Sequence, residues 1–327
     1  MGKLPSDVER DVLVRAQDIT DTNYGIEPSL RPMLEHLRLG IINLDKPVGP
    51  TSHEVVAWVK RVLGVRQAGH GGTLDPKVSG VLPVALEDAT KILQTLLPAG
   101  KEYICLMHLH GDVPDHRLEQ VVREFEGELY QRPPMRAAVR RLLRKRHIYY
   151  AEILERQDRD VLLRIGCEAG TYMRKWCFDV GEALGCGAHM AELRRTRTGP
   201  FREETLVKLH DLADANAFWK EDGVEDLLRK VVLPVEASVQ HLPKLTIRDG
   251  AVDAMCHGAS LAAPGVLKVE TGISPDNLVA LITLKGELVA LARATMTSKQ
   301  IVEADHGIVA KPERVVMSPG TYPRKWK

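Results

Sequence analysis

Short segments with alternating hydrophobic and polar positions recur between residues 40 and 170, and their spacing predicts strands. Residues 41–44 are continuously apolar or amide-bearing and predict a short buried strand. Residues 103–110 and 161–167 carry apolar side chains at every second position, which predicts strands with one buried face. The alternating positions are Tyr103, Cys105, Met107 and Leu109 in the first segment and Val161, Leu163, Ile165 and Cys167 in the second.

Helical spacing interrupts these strands and predicts a mixed fold. Thr51 and Glu54 form the pattern of a capping box, and Gly64 supplies a left-handed end. The apolar face between them consists of Val55, Trp58, Val59, Val62 and Leu63. A second helix is predicted around residues 116–126, ending at Gly127, with Leu118, Val121, Val122 and Phe125 inward. Strands and helices therefore alternate irregularly to about residue 230, which favours an α/β or α+β domain with a mixed sheet.

The pattern changes after Pro243, where short β-like segments dominate. They cover residues 266–270, 278–284, 287–292 and 314–317, and Lys285-Gly286 joins two of them as a predicted hairpin. We expect a small β-barrel of about 80 residues at this end of the chain.

Composition narrows the class of protein but does not name a partner. The 327 residues hold 45 Lys and Arg against 44 Asp and Glu, so the net charge of +1 does not indicate a polyanion partner. No apolar run approaches the roughly 18 residues that a membrane span requires, and the first residues lack a signal peptide's apolar stretch, so we expect a soluble intracellular protein. The five cysteines form no C-x-x-C pair, which argues against a zinc knuckle or a disulfide framework.

Charge is nevertheless uneven along the chain. Residues 132–147 hold seven Lys and Arg and no acid, and smaller basic groups occur at residues 194–197 and 324–327. Residues 1–35 hold seven acids and four bases. The basic groups could contact a phosphate backbone, although a solvated helix face is the simpler explanation of any one charge run.

The segment AGHGGTLDPKVSG, residues 68–80, has four glycines and no apolar period, which predicts a long, tightly turned loop. It matches neither the G-x-x-x-x-G-K-[ST] nor the G-x-G-x-x-G spacing, so nucleotide binding is not predicted. It offers one carboxylate, Asp75, whose backbone is restricted to extended values by Pro76. A turn-initiating Asp-Pro is the alternative explanation.

Five ordered segments of this chain resemble the motifs of the TruB-type pseudouridine synthase family, in particular its archaeal, dyskerin-like branch. They are NLDKPVGPTSHEVV (43–56), AGHGGTLDPKVSGVLPVAL (68–86), AGKEYICLMHLHGD (99–112), CEAGTYMRKWCFDVG (167–181) and GCGAHMAELRRTRTGPF (185–201). The resemblance implies a pseudouridine synthase fold over 38–240, with a mixed, largely antiparallel sheet flanked by helices. It also implies a PUA RNA-binding barrel over 241–327 and an N-terminal extension, 1–37, packing on the PUA domain.

The resemblance also implies roles for individual residues. Asp75 corresponds to the nucleophile, Tyr103 would stack on the target uracil, and Arg174 would pair with Asp75. The substrate-binding residues implied are Tyr172, His70, Leu193 and Lys46, where Lys46-Pro47 resembles the segment that braces the catalytic loop. The RNA-binding residues implied are Arg136, Arg140, Arg141 and Gly258. The usual GTYIRS/T motif departs here at Met173, Lys175 and Trp176, so the packing behind Tyr172 is not implied by the resemblance.

Taken singly, several of these residues have simpler explanations. Tyr103 and Leu193 could be core residues, Arg174 a structural ion-pair partner and His70 a hydrogen-bonding loop residue. Their joint presence in family order favours the functional reading.

The expected activity is RNA pseudouridylation without a cofactor or metal. The resemblance implies a catalytic subunit of an archaeal box H/ACA particle, with guide RNA, rRNA, tRNA and three small protein subunits as partners, in the cytoplasm and away from membranes. A carboxylate can start the reaction at C1′, at C6 or as a base at the sugar, inside a site expected to exclude water. A non-catalytic RNA-binding scaffold and a metal- or nucleotide-dependent enzyme remain alternatives.

Overall fold

The computed structural model describes residues 2–132 and 142–324. Its strands, in chain order, are β1 (Val12–Val14), β2 (Gly40–Lys46), β3 (Ala68–His70), β4 (Ser79–Leu86), β5 (Lys101–Leu109), β6 (Gly127–Gln131), β7 (Arg144–Gln157), β8 (Asp160–Cys167), β9 (Ala188–Thr198), β10 (Phe201–Arg202), β11 (Leu233–Pro234), β12 (Lys244–Ile247), β13 (Leu261–Ala262), β14 (Val266–Glu270), β15 (Leu278–Ile282), β16 (Leu288–Ala294) and β17 (Ile308–Val315). Its α-helices are α1 (Met33–Arg38), α2 (Ser52–Leu63), α3 (Asp115–Glu124), α4 (Met173–Leu184), α5 (Leu209–Asp222), α6 (Asp226–Val231), α7 (Asp249–Cys256) and α8 (Ser298–Glu303). Short 3₁₀ helices cover Pro28–Leu30, Glu87–Leu96, Glu203–Thr205, Val235–Val239 and Ala263–Gly265.

A ten-stranded sheet forms the first half of the molecule. Its main path runs β11-β2-β4-β9-β5-β8-β7-β6, with β3 paired to β4 and β10 paired to β9. Neighbouring strands are antiparallel except β4 and β9, which pair in parallel over two residues each. Helices α2, α3, α4 and α5 contribute buried side chains to the large apolar cluster that covers the sheet. The predicted mixed, largely antiparallel α+β fold is confirmed.

The parallel pairing of β4 with β9 requires a glycine. Gly80 lies opposite Arg195 in this pairing and has a φ of 101°. A Cβ at Gly80 would stand 2.1 Å from the Arg195 carbonyl oxygen. Only glycine combines this left-handed backbone with so close an approach, so β4 and β9 can meet where β4 begins.

A seven-stranded sheet forms the C-terminal part, in the order β1-β14-β12-β15-β16-β17-β13. Six of its strands come from residues 244–315, and β1 adds to its edge by pairing antiparallel with β14. It has its own apolar core, and a third cluster joins it to the ten-stranded sheet. That third cluster consists of Leu39, Ile41, Val81, Ala85, Ala89, Ile92, Leu96, Phe201, Val235, Val239, Ala280, Leu288, Leu291 and Val316.

Helix α2 confirms the predicted capping. The Thr51 side chain accepts from the Glu54 amide, the Glu54 carboxylate accepts from the Thr51 amide, and Gly64 ends the helix with a φ of 71°. The predicted inward position of Trp58 is wrong, because its side chain is 38% exposed. Val56 is buried in the helix instead.

Two stretches differ from the sequence predictions. Residues 68–70 form β3, so the long predicted loop shortens to residues 71–78. The basic segment enters the 14-residue strand β7 at Arg144, which replaces the helix face considered for it. Residues 133–141 of that segment lie outside the described residues. Within the described ranges, no helix is both long and apolar enough to cross a membrane.

Candidate active site

The loop of residues 71–78, here called the Asp75 loop, connects β3 to β4 and is anchored at both ends. The Gly71 amide donates to the Pro83 carbonyl at 2.9 Å, and the Val78 carbonyl accepts from Lys46 Nζ at 2.9 Å. In its middle the buried Leu74 exchanges two hydrogen bonds with the Ser52 hydroxyl: the Leu74 amide donates at 2.9 Å and its carbonyl accepts at 3.1 Å. The first turn of α2 therefore fixes the loop next to Asp75.

Three buried cations lie behind this loop. Lys46 Nζ donates to the carbonyls of Pro47 and Val78, both at 2.9 Å. Arg195 Nε donates to the Val81 carbonyl at 2.7 Å, and its Nη2 donates to the Gly72 carbonyl at 3.1 Å.

Lys101 Nζ completes this group by donating to the carbonyls of Leu96 and Leu97 at 3.1 Å. None of the three cations forms an ion pair with a carboxylate of the described residues.

Burial affects the titration of all three cations. Desolvation lowers the pKa of Lys101 to about 8, with the Arg195 charge acting in the same direction. Desolvation also lowers the pKa of Lys46, again assisted by Arg195 and opposed by the Asp75 carboxylate. The pKa of Arg195 is lowered by the same burial. Since buried charge is costly, the two cations that bond to the loop, Lys46 and Arg195, indicate that its position matters to the protein.

In front of the loop, Asp75 and Arg174 form an open ion pair. Arg174 Nη2 donates to Asp75 Oδ2 at 3.0 Å, and the two side chains are 57% and 60% exposed. Arg174 is the second residue of α4, whose N-cap is Tyr172. A solvent-exposed pair of this kind adds about 0–1 kcal/mol to stability, so structural need does not explain it.

The expectation of a site that excludes water is wrong for the chain alone. Both members of the pair are more than half exposed. Water must be displaced by whatever binds over the pair.

Tyr103 and Leu193 lie on neighbouring strands of the sheet. Tyr103, on β5, is 8% exposed and lies opposite Arg195 of β9 and Ile165 of β8. Burial raises the pKa of its hydroxyl, partly offset by the Arg195 charge, so the phenol stays protonated at neutral pH. Leu193 lies opposite Cys105 and packs, half-buried, against the large apolar cluster.

Tyr172 is held by a residue that sequence reasoning missed. The Tyr172 amide donates to Gln131 Oε1 at 2.8 Å, and Gln131 Nε2 donates back to the Tyr172 carbonyl at 3.2 Å. Gln131 is 1% exposed and ends β6. A single buried glutamine carries no pattern in the sequence, so its only available signal is its place directly before the basic segment.

His70 lies beside a second histidine. Its Nδ1 accepts from the Gly72 amide at 3.4 Å, and its ring centroid is 5.0 Å from that of His53, on the first turn of α2. Burial lowers the pKa of His70, and the His53 and Arg195 charges act in the same direction, so the ring is neutral at neutral pH. His53 was not singled out from the sequence, although it adjoins Thr51 and Ser52.

Lys46 requires a correction. It stood among the substrate-binding residues, but its side chain is fully buried and donates only to backbone carbonyls. It braces the Asp75 loop, as the resemblance of Lys46-Pro47 to a bracing segment implies.

The basic group at 194–197 is also not a free phosphate-binding surface. Arg194 pairs with Asp45 and Glu203, Arg195 is buried, and Arg197 pairs with Asp7.

The remaining predicted RNA contacts lie elsewhere. Gly258 is exposed after α7 with a φ of 84° and open space around it, in the part of the chain that forms the seven-stranded sheet. Arg136, Arg140 and Arg141 lie outside the described residues. Among the residues described, no three His, Cys, Asp or Glu side chains are grouped closely enough to hold a metal ion.

Family models match almost the whole chain. The TruB family pseudouridylate synthase N-terminal domain matches residues 60–173, and the tRNA pseudouridylate synthase B C-terminal domain matches residues 174–240. A PUA domain matches residues 243–316, and a DKCLD domain matches residues 3–56.

Curated proteins and solved structures agree with these matches. The chain is 62% identical to the probable tRNA pseudouridine synthase B of Methanopyrus kandleri and 57% identical to that of Pyrococcus furiosus, covering 99% of this chain and 96% of each relative. It superposes with a TM-score of 0.94 and 56% identity on a chain of an H/ACA RNP bound to a substrate RNA containing 2′-deoxyuridine, covering 99% of this chain and 100% of that one. A chain of a Cbf5–Nop10–Gar1 complex gives a TM-score of 0.94 and 57% identity, with 98% of both chains covered.

Proposed function

The chain belongs to the TruB family of pseudouridylate synthases, and from this premise we propose that Asp75 begins the isomerisation of a flipped-out uridine held against Tyr103. The protein is an RNA pseudouridine synthase. The observation that carries the assignment of residues is the Asp75–Arg174 ion pair, which an anchored loop presents to solvent.

The reaction needs little beyond a placed carboxylate. The C1′–N1 glycosidic bond breaks, the uracil turns, and a C1′–C5 bond forms, while the hydrogen leaves C5 and N1 gains one. Atoms and charge balance without a redox step. The carboxylate of Asp75 can attack C1′, attack C6, or remove a proton from the sugar, and all three routes require it to be ionised. The Arg174 guanidinium donates to that carboxylate at 3.0 Å and so holds its direction.

Tyr103 provides a surface for the base. A uridine in stacked RNA cannot reach a carboxylate, so it must leave the stack, and an aromatic ring can hold it by stacking worth about 1–3 kcal/mol. Tyr103 is held within β5, and the Tyr172 backbone is fixed by Gln131, so the positions of both residues are set by the fold. Leu193 and His70 border the same region in this proposal.

We further propose that a guide RNA selects the uridine. Phosphate contacts give affinity but little sequence choice, and A-form grooves hide base identity, so base pairing to a guide is a sufficient source of specificity. The high similarity to a chain of an H/ACA RNP bound to substrate RNA supports this proposal.

The small protein partners would then be those of such a particle. The substrate would be rRNA, in the cytoplasm of an archaeal cell. Arg136, Arg140 and Arg141 are proposed phosphate contacts.

The proposal also assigns a separate role to each of three parts of the chain. Residues 38–240 would carry catalysis, and residues 241–327 would anchor the guide RNA through the loop at Gly258. The extension of residues 1–37 would brace the second part, since β1 pairs with β14 and the Asp21 amide donates to Asp249 at 2.8 Å.

A second substrate is favoured by the curated relatives. They are named probable tRNA pseudouridine synthases. We propose that this chain also modifies a TΨC-loop uridine of tRNA without a guide.

The test is to incubate the purified chain with rRNA fragments or tRNA, with and without guide RNA and partner proteins, and to map pseudouridine by chemical sequencing. Asp75→Asn should reduce product by at least about 1000-fold, because the amide cannot act as nucleophile or base. RNA binding should stay within about threefold, since the pair contributes little to a phosphate-dominated contact.

Asp112→Asn is the matched control, because Asp112 also forms an exposed pair with an arginine, Arg159, but lies beyond the opposite end of β5. It should retain wild-type activity. An Asp75→Asn protein that still forms pseudouridine at the rate of Asp112→Asn would disprove the proposal.

A further inference from the structure

Arg195 is an arginine in the interior without a carboxylate partner among the described residues. It is 1% exposed, its guanidinium donates to the backbone carbonyls of Val81 and Gly72, and it also interacts with the Tyr103 side chain. Its sequence neighbours differ: Arg194 pairs with Asp45 and Glu203, and Arg197 pairs with Asp7. Burying an arginine without a counter-charge is costly, so a hydrophobic residue would serve packing better.

The position of Arg195 within the sheet connects the site's parts. Its backbone pairs with Gly80 of β4 on one side and with Tyr103 of β5 on the other. Gly80 follows the Asp75 loop by two residues, and the Arg195 side chain returns to Gly72 at the loop's other end. One residue therefore contacts both ends of the loop and borders the strand that carries Tyr103.

Gly72 shows why this contact constrains the loop. Its φ is 135°, a value that L side chains rarely adopt, and a Cβ there would stand 3.7 Å from Arg195 Nη1 and 3.5 Å from Lys101 Cε. The peptide of Gly72 is thus held in an uncommon conformation against two cations. Its carbonyl accepts from Arg195 at 3.1 Å, which fixes its direction three residues before Asp75.

We propose that Arg195 is a positioning residue for isomerisation: it locks the Asp75 loop onto the strand pair β9–β5, so that Asp75 keeps a fixed distance to the ring of Tyr103. This inference rests on the proposed roles of Asp75 and Tyr103. Arg195 does not touch substrate. Its effect should appear in the chemical step, because a displacement of about 1 Å at a reacting group can cost about 100-fold in rate.

The test compares Arg195→Gln, Arg195→Lys and the control Arg194→Gln in the protein assembled with guide RNA and partners. Single-turnover rates at saturating enzyme should fall about 100-fold for Arg195→Gln and about 10-fold for Arg195→Lys, which keeps the charge but loses the fork between Val81 and Gly72. Substrate RNA affinity should stay within about threefold in both. Arg194→Gln should stay within about threefold of wild type, since it loses the pairs with Asp45 and Glu203 and a long bond to Ser79 but keeps every contact of Arg195 with the loop.

Hydrogen exchange tests whether the effect of Arg195 is confined to the Asp75 loop or reflects a general loss of stability. In Arg195→Lys, amides of residues 71–78 should exchange at least about tenfold faster, while those of β15 and β16 stay unchanged. If Arg195→Gln does not fold, the rate and exchange of Arg195→Lys decide the question. Wild-type rates and wild-type exchange of residues 71–78 in that variant would overturn the inference.

The outcome is separable from a failure of the proposed function. If Asp75→Asn is as active as wild type, the roles of Asp75 and Tyr103 are wrong. If Asp75→Asn is inactive but Arg195→Gln matches Arg194→Gln, only the positioning role is wrong.

Discussion

Helices α2 and α8 begin with the same capping pattern, and each fixes a neighbouring loop. The charges around the two loops differ. Each is capped by a threonine in a capping box, Thr51 or Thr297. The next residue, Ser52 or Ser298, is buried and bridges a loop. Ser298 accepts from the Ile273 amide at 2.9 Å and donates to the Glu270 carbonyl at 2.8 Å, as Ser52 does with both groups of Leu74.

The difference between the two regions lies in the charges around the anchored loops. Beside α8, Lys244 pairs with Glu270 at 3.4 Å, so cation and carboxylate compensate each other. Behind the Asp75 loop, Lys101 and Arg195 donate to backbone carbonyls and pair with no carboxylate of the described residues. Of these two regions, the local anchor is therefore combined with uncompensated positive charge only in the one whose loop presents Asp75, the proposed nucleophile. Both regions share the serine anchor, and the arrangement of charges around the loop distinguishes the proposed active site.

The largest effect should come from the front of the Asp75 loop. Arg174→Gln removes the partner of Asp75, and the reaction rate should fall about 100-fold because a charge stabiliser at the reacting group is lost. The melting temperature should not change measurably, because the pair is exposed. Single-turnover pseudouridylation and a thermal melt measure both. Arg159→Gln, which breaks the exposed pair with Asp112, is the control and should change neither. Equal pseudouridylation rates for Arg174→Gln and Arg159→Gln would show that the Asp75–Arg174 pair has no special role in the reaction.

The next effect concerns the uncompensated charge. The pKa of Lys101 is lowered to about 8, so between pH 8 and its ordinary value of 10.5 the unfolded chain holds a proton that the folded protein has lost. The free energy of unfolding should therefore rise with pH across this window, by about 1–3 kcal/mol from this residue.

Chemical denaturation of wild type and Lys101→Met at several pH values isolates this contribution of Lys101. The difference in unfolding free energy between wild type and Lys101→Met should change from pH 8 to pH 10.5 and be constant below pH 7. Parallel stability curves would contradict the buried-charge assignment.

The smallest effect tests the shared anchor itself. Ser52→Ala and Ser298→Ala each leave a buried amide and carbonyl without a partner, so each should cost about 1–3 kcal/mol of unfolding free energy. Only Ser52→Ala should slow pseudouridylation, by about fivefold, because only its loop carries Asp75. Urea denaturation and single-turnover rates give both quantities. Equal activity in the two variants would show that the Ser52 anchor is dispensable for placing Asp75.

Patterned elements were predictable from the sequence. The capping residues of α2 and the alternating face of β5 are local signals, and the structure confirms both. Strand β9 was missed because three of its arginines interrupt the apolar pattern. Two of them, Arg195 and Arg197, are buried nonetheless, and a hydrophobicity pattern assigns arginine to the surface. The long β7 was missed for the same reason, since charged residues dominate it.

The site divides similarly into predictable and unpredictable parts. The Asp75–Arg174 pairing followed from family resemblance, and the structure brings these side chains together. The Ser52 anchor, the Gln131 clamp and the buried fork of Arg195 depend on contacts between residues far apart in the chain. A single sequence holds no periodic signal for such contacts, because each involves one polar side chain and a backbone group set by the fold.

Strand β1 pairs with β14, a strand far away in the sequence, and this bears on the order of folding. Val12 lies opposite Glu270, so β1 pairs with a strand that is synthesised 258 residues later in the chain. Such long-range pairing must overcome a large loop-closure entropy, which makes it a late and slow step. Until it occurs, the outer edge of β14 offers unpaired backbone groups to any neighbouring chain. Docking of β1 thus also acts as a guard against intermolecular strand pairing during biogenesis.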